Sequence, residues 1–163
     1  MRKRLMRTWL MRTWPMRAGT LLSILALGLA PAVRLRADLK PALAERDLGR
    51  RSKLALDNAE TVLKAARAAY ERGETEKVAA GIQEIVESVD MASESLAKTG
   101  KNPRSSPKWF KQAEIQTRDL LKRLETFQRD MSFADRPMLD KAKTRVQEVH
   151  DSLLLGLMEG KHK

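Results

Sequence analysis

The chain has 163 residues, room for one domain, and carries 32 Lys and Arg against 21 Asp and Glu, a formal net charge of +11. It has no cysteine, which excludes disulfides, a disulfide-linked partner, thiolate metal sites and thiol-attached haem or lipid. The excess charge is unevenly placed: residues 1–32 hold Arg2, Lys3, Arg4, Arg7, Arg12 and Arg17 and no acid, and beyond them 26 basic residues face 21 acidic ones, an ordinary solubility charge.

The chain opens on a duplication. LMRTW at Leu5–Trp9 returns at Leu10–Trp14, and Met-Arg recurs at 1, 6, 11 and 16. A period of five matches neither helix nor strand. The stretch reads as a duplicated leader, with Met11 or Met16 as alternative starts. From Ala18 through Val33 the sequence AGTLLSILALGLAPAV is uncharged and follows a basic stretch. That is the order of a secretory signal, and Ala30-Pro31-Ala32 supplies the small-x-small pattern of a cleavage site. The expectation is a signal peptide over 1–32, removed after Ala32, and a periplasmic or secreted remainder. A membrane span needs about 20 apolar residues, so a full crossing would be short. Arg34 and Arg36, just past the run, favour the alternative of an uncleaved anchor in the inner membrane.

The remainder reads as all-α. A basic lead-in covers 33–49, and a domain over 50–163 is built on helices at about 39–72, 75–98, 107–131 and 136–158. Asp38 is positioned to cap the first, which tolerates Pro41 in its first turn and is expected to bend or fray at Gly49. Four segments repeat apolar residues at alternating steps of three and four: Leu56, Ala59, Leu63, Ala66, Tyr70; Val78, Ile82, Ile85, Val89, Ala92, Leu96; Phe110, Ala113, Leu120, Leu124, Phe127, Met131; and Leu139, Ala142, Val146, Val149, Leu153. In the third, Thr117 interrupts the stripe.

Gly73 and Gly100 close the first two helices as left-handed residues, and Thr75, Ser106 and Asp135 are expected caps, Ser106 preceding Pro107 at the first helical position. Short links make successive helices antiparallel. The expected architecture is an up-down-up-down antiparallel four-helix bundle with a longer first helix, preceded by a signal sequence. Register places Ala66 near Ala80 and Gly81, and Arg118 level with His150 and Asp151. AAYERGETEKVAAG, residues 68–81, is similar to the turn of a tetratricopeptide repeat, but no 34-residue period repeats it.

No catalytic motif is present: phosphate-binding glycine loops, Gly-x-Ser-x-Gly and His-Glu-x-x-His are all missing. Ferritin-like helices use Glu-x-x-His, yet Gln147 stands three residues before His150, so neither a metal nor a cofactor is expected. Two groups of residues stand out. Glu114, Arg118, His150 and Asp151 form a polar cluster between the last two helices, read as an ion-pair network that fixes register. The alternative reading of that cluster is a small-ligand, metal or enzyme site.

The second group follows from topology. Alternating helices bring the start of the first, the loop after the second and the C-terminus to one end. That end collects Arg46, Arg50, Arg51, Lys53, Lys98, Lys101, Arg104, Lys108 and Lys111, then Lys161 and Lys163, with Trp109 and Phe110 among them. The opposite end mixes both signs. A basic, aromatic end fits an anionic membrane surface or an envelope protein. Nucleic acid is not expected, because no groove-reading motif is present. Ile115, Leu121, Leu154 and Leu157 lie off the main stripes and supply the pattern of a second seam, as in a homodimer.

Overall fold

The computed structural model describes residues 39–159, and the leader, with its proposed cleavage site, lies outside them. Among the described residues the elements are α1 (Lys40–Ala44), α2 (Leu48–Glu71), α3 (Thr75–Lys98), α4 (Pro107–Asp130), a 3-10 turn (Arg136–Leu139) and α5 (Asp140–Glu159). There is no strand among them, and the four long helices pack together around one core. No helix among the described residues is long and apolar enough to cross a membrane.

The core follows the apolar stripes. Leu56, Ile85, Leu120, Leu124, Phe127, Leu139 and Val146 are each at most 1 % exposed. Steps of three and four keep these side chains on one seam of each helix, the geometry that lets helices interlock at small angles. Thr117, the polar interruption, is fully buried rather than turned outward. Its hydroxyl is satisfied within its own helix, donating to the carbonyls of Ala113 at 2.9 Å and Glu114 at 3.0 Å. Small residues line the α2–α3 contact: a Cβ on Gly81 would lie 3.1 Å from the Ala66 Cβ, the approach that register requires.

The first helix departs from expectation. It is not one long element over 39–72 but two, broken at residues 45–47 rather than at Gly49. Asp47 wins the cap of α2, its Oδ1 accepting from the Arg50 amide at 2.8 Å. The Glu45 carbonyl left over at the break is taken by the Arg51 guanidinium through Nε at 2.9 Å and Nη2 at 2.6 Å. As a result α2, α3 and α4 have equal length, 24 residues each. Asp38, the expected cap of α1, lies outside the described residues.

Gly73 and Gly100 do end helices at positive φ, +72° and +63°. The three later caps differ from expectation. Thr75 begins α3 instead of capping it, and neither Ser106 nor Asp135 makes a side-chain cap.

Helix order around the core is the larger difference. α2 packs on α3 and on α4, α5 packs on α3 and on α4, and α3 and α4 scarcely touch. Cross-links fix the directions. Asp57 meets Gln116 at 2.7 Å and Arg67 meets Asp130 at 2.5 Å, so α2 and α4 run parallel. Lys141 meets Gln83 at 3.3 Å and Arg145 meets Asp90 at 2.5 Å, so α3 and α5 are parallel too. The directions alternate as expected, but the molecule is two antiparallel hairpins laid side by side. Residues 99–106 cross the diagonal between them. Eight extended residues reach roughly 26 Å, ample for the diagonal of helices packed 8–10 Å apart.

Candidate functional site

The basic end is built on the corner between α1 and α2. Glu45 Oε1 accepts from the Asp47 amide at 2.9 Å, which with the Asp47 cap and the Arg51 bonds closes the corner. Immediately inside it, Gly49 is buried under the Trp109 indole: a Cβ there would lie 2.4 Å from the ring. The absent side chain therefore seats the indole across the α2–α4 joint. Lys108 Nζ lies 4.8 Å from the centroid of the same ring, in cation–π range. The diagonal loop is pinned on its other side by Pro103, which packs against Gly156 of α5. Lys101, Ser106, Pro107, Lys108, Trp109 and Lys111 then line an open cleft of about 380 Å3.

Nine basic side chains among the described residues are placed at this end by the sequence, and they divide by partner. Arg51 is spent on the Glu45 carbonyl, Lys53 pairs with Asp57 at 2.5 Å, and Lys98 pairs with Glu94 at 3.0 Å. Arg46, Arg50, Lys101, Arg104, Lys108 and Lys111 are exposed and have no acidic partner among the described residues. Nearby acids are engaged as well, Glu45 and Asp47 at the corner and Glu94 with Lys98; Glu159 is the exposed exception.

The opposite end mixes both signs and pairs part of them, while Arg129 and Arg136 bond to the Thr126 hydroxyl and the Met131 carbonyl. Glu74 accepts from Arg72 at 3.0 Å and Lys77 at 3.1 Å, and these two cations, Arg72 first, hold its carboxyl below the usual range. Asp135 accepts from the Ser132 hydroxyl at 2.7 Å and the Tyr70 hydroxyl at 2.9 Å, which likewise lower its pKa. Tyr70 also accepts from the Ser132 amide at 2.8 Å, tying α2 to the link before α5. A lowered folded-state pKa stabilises the fold above the ordinary Asp range and loses that contribution as pH falls through the folded value. Tyr70→Phe is therefore expected to lower Tm at pH 7, with the gap to the parent closing as Asp135 is protonated in acid. An equal Tm deficit at every pH would refute this coupling.

The polar cluster between α4 and α5 is only partly assembled. Glu114 lies 3.5 Å from Arg118 and 3.9 Å from His150 Nδ1. Thr117 Oγ1 is 3.4 Å from the same nitrogen. Asp151 is outside the cluster, exposed and accepting from Gln147 at 2.7 Å. No group of three metal-ligating side chains occurs among the described residues. A second open cleft lies between α3 and α5, but its charges are engaged with one another, Arg145 with Asp90 and with Glu148 at 2.8 Å. Of the apolar residues off the main stripes, Leu121 and Leu157 pack against the core, while Ile115 and Leu154 are exposed.

What sequence reasoning missed at this end is the pairing of Gly49 with Trp109. A glycine two residues after a helix cap was the signal, and its partner stayed hidden because α4 lies beside α2 as a parallel neighbour, which link length does not reveal. Alanine normally favours a helix over glycine by about 1 kcal/mol. Here Gly49→Ala is expected to reverse that sign, costing about 1–3 kcal/mol as the added methyl displaces the indole. Trp109 fluorescence should shift to the red. Unchanged or raised stability would refute the seating.

No family model, curated protein or solved structure matches the chain.

Proposed function

We propose that this chain is an exported four-helix bundle that works by binding, without catalysis, and that its cationic end meets an anionic surface of the cell envelope. The observation that carries this reading is the contrast between the two ends. One mixes both signs and engages most of them: Arg72 and Lys77 pair with Glu74, Arg67 pairs with Asp130, Asp135 accepts from two hydroxyls, and the guanidiniums of Arg129 and Arg136 bond to oxygens of Thr126 and Met131. The other leaves Lys101, Arg104, Lys108 and Lys111 without acidic partners among the described residues, three of them, Lys101, Lys108 and Lys111, lining the Trp109 cleft. Fixed cations without partners keep their attraction for an outside anion, and an indole beside them suits an interface that is part apolar and part wet.

The test is co-sedimentation of the full chain with phosphatidylglycerol vesicles, compared with a variant carrying Lys101, Arg104, Lys108 and Lys111 each changed to Glu. Both proteins keep the same leader, so the difference isolates the end. The parent should sediment and the variant should remain in solution. Equal sedimentation of the two would overturn the reading.

A further inference from the structure

We infer that this end does more than attract charge: it seats in the bilayer itself, with Leu43, Leu155 and Met158 entering the acyl boundary beneath a collar of cations. The inference rests on the cationic reading and names its partner as an anionic lipid bilayer. Large apolar side chains left in water are few among the described residues, and they are not scattered evenly. Leu43 is 59 % exposed, Leu155 54 % and Met158 70 %, with Leu154 at 40 % beside them. Leu43 belongs to α1, at the entry to the basic end, and the other three to the last two turns of α5, which finish there. At 1.5 Å per residue, Leu154 lies within about 8 Å of the end of its helix, a depth comparable to the interfacial zone of a membrane.

Their arrangement selects the occupant. A partner helix or a second copy calls for a continuous seam, with apolar residues three and four apart along one face. Here Leu154 and Leu155 lie four and three residues before Met158, a single turn of such a seam, and exposed Asp151 and Ser152 end it one turn earlier. Leu43 is carried by α1, which packs on α2, diagonally across the core from α5. Separate apolar points on two corners match a fluid surface better than a rigid groove. Charge is complementary as well: Arg46, Lys101, Arg104, Lys108 and Lys111 belong to the same end and have no acidic partners among the described residues. Trp109 is half-buried at the same level, the position in which amphipathic rings meet headgroups. In the sequence, only Arg34–Asp38 separate the uncharged run 18–33 from Leu39, the first described residue at this end.

The absence of cysteine gives a direct test. Met158→Cys, Leu155→Cys and, at the far end, Phe133→Cys are made singly in the full chain and labelled with a polarity-sensitive fluorophore. Phe133 is 86 % exposed and serves as the control. With phosphatidylglycerol vesicles whose acyl chains carry bromine, probes at 155 and 158 should shift to the blue and lose emission, while the probe at 133 should do neither. A Leu155→Ser/Met158→Ser double variant should still bind at low salt and lose the salt-resistant fraction. If the chain sediments in a charge-dependent way while the probe at 158 stays as wet as that at 133, insertion is refuted and the cationic reading survives. If charge reversal leaves sedimentation unchanged, the cationic reading fails first. A blue shift at 158 that needs no vesicles and grows with protein concentration would overturn the bilayer as partner and assign these residues to self-association.

Discussion

Phe127→Ala should lower the stability of the fold by about 3–5 kcal/mol, the range for emptying a fully buried aromatic site. Phe127 is 1 % exposed and meets the edge of Tyr70, ring centroids 5.7 Å apart at 76°. It stands where α4 lies parallel to α2, so it joins one hairpin to the other rather than closing a hairpin on itself. Arg67 with Asp130, and Tyr70 with Ser132 and Asp135, clamp the same stretch from outside. Those clamps keep the helices from collapsing into the cavity, which sets the expectation toward the upper part of the range. Urea unfolding of the parent and variant, followed by circular dichroism, measures it. Phe133→Ala is the matched control: its ring is 86 % exposed, with the Arg136 guanidinium 5.9 Å from its centroid. That change should stay within about 0.5 kcal/mol. A loss below about 1.5 kcal/mol at Phe127, half the lower bound for such truncations, would mean that the joint is not packed as described. A separate early transition would mean that the hairpins unfold independently.

Helix content was legible because periodicity is a one-dimensional signal. Residues 78, 82, 85, 89, 92 and 96 repeat at the spacing that buries them, and they are all buried. The glycine stops were legible for the same local reason: only Gly73 and Gly100 relieve the cost of positive φ where the helices end. Helix order around the core was not legible. Alternating directions follow from link length, but which helices become neighbours depends on side-chain fit across the core, and an eight-residue link permits both the edge and the diagonal. The break at residues 45–47 was hidden for another reason. Glu45, Asp47 and Arg51 each read as ordinary helix-face charges until they are seen together, one capping and one taking up a freed carbonyl. Chain direction alone brings the basic residues at the start of α2, after α3 and at the start of α4 to one end. Its internal division into paired and unpaired cations, and the seat of Trp109 on Gly49, required the helix order.

That division gives the strongest expected effect on binding. Each basic residue near an anionic leaflet contributes about 1 kcal/mol. Changing Lys101, Arg104, Lys108 and Lys111 to Glu removes four such contributions and adds repulsion, so affinity for phosphatidylglycerol vesicles should fall at least about a thousandfold. These four are exposed, so their replacement leaves the core untouched. Position, rather than net charge, is what the proposal claims, and a second variant separates the two. Lys64, Lys122, Arg129 and Lys141 are also exposed, and changing all four to Glu alters the net charge by the same amount. They stand at mid-height or at the far end of the helices. Counted along α2 and α4 they are roughly 20 Å or more from the cationic end at 1.5 Å per residue, about two Debye lengths at 0.1 M salt. Their reversal should therefore weaken binding by about tenfold or less, the remainder after screening. Titrating both variants and the parent against vesicles at two salt concentrations decides the matter. Raised salt should weaken the parent and barely affect the end variant, whose attraction is already gone. If the mid-height variant loses as much affinity as the end variant, binding follows total charge, and the clustering of cations at the near end is a feature of folding rather than of recognition.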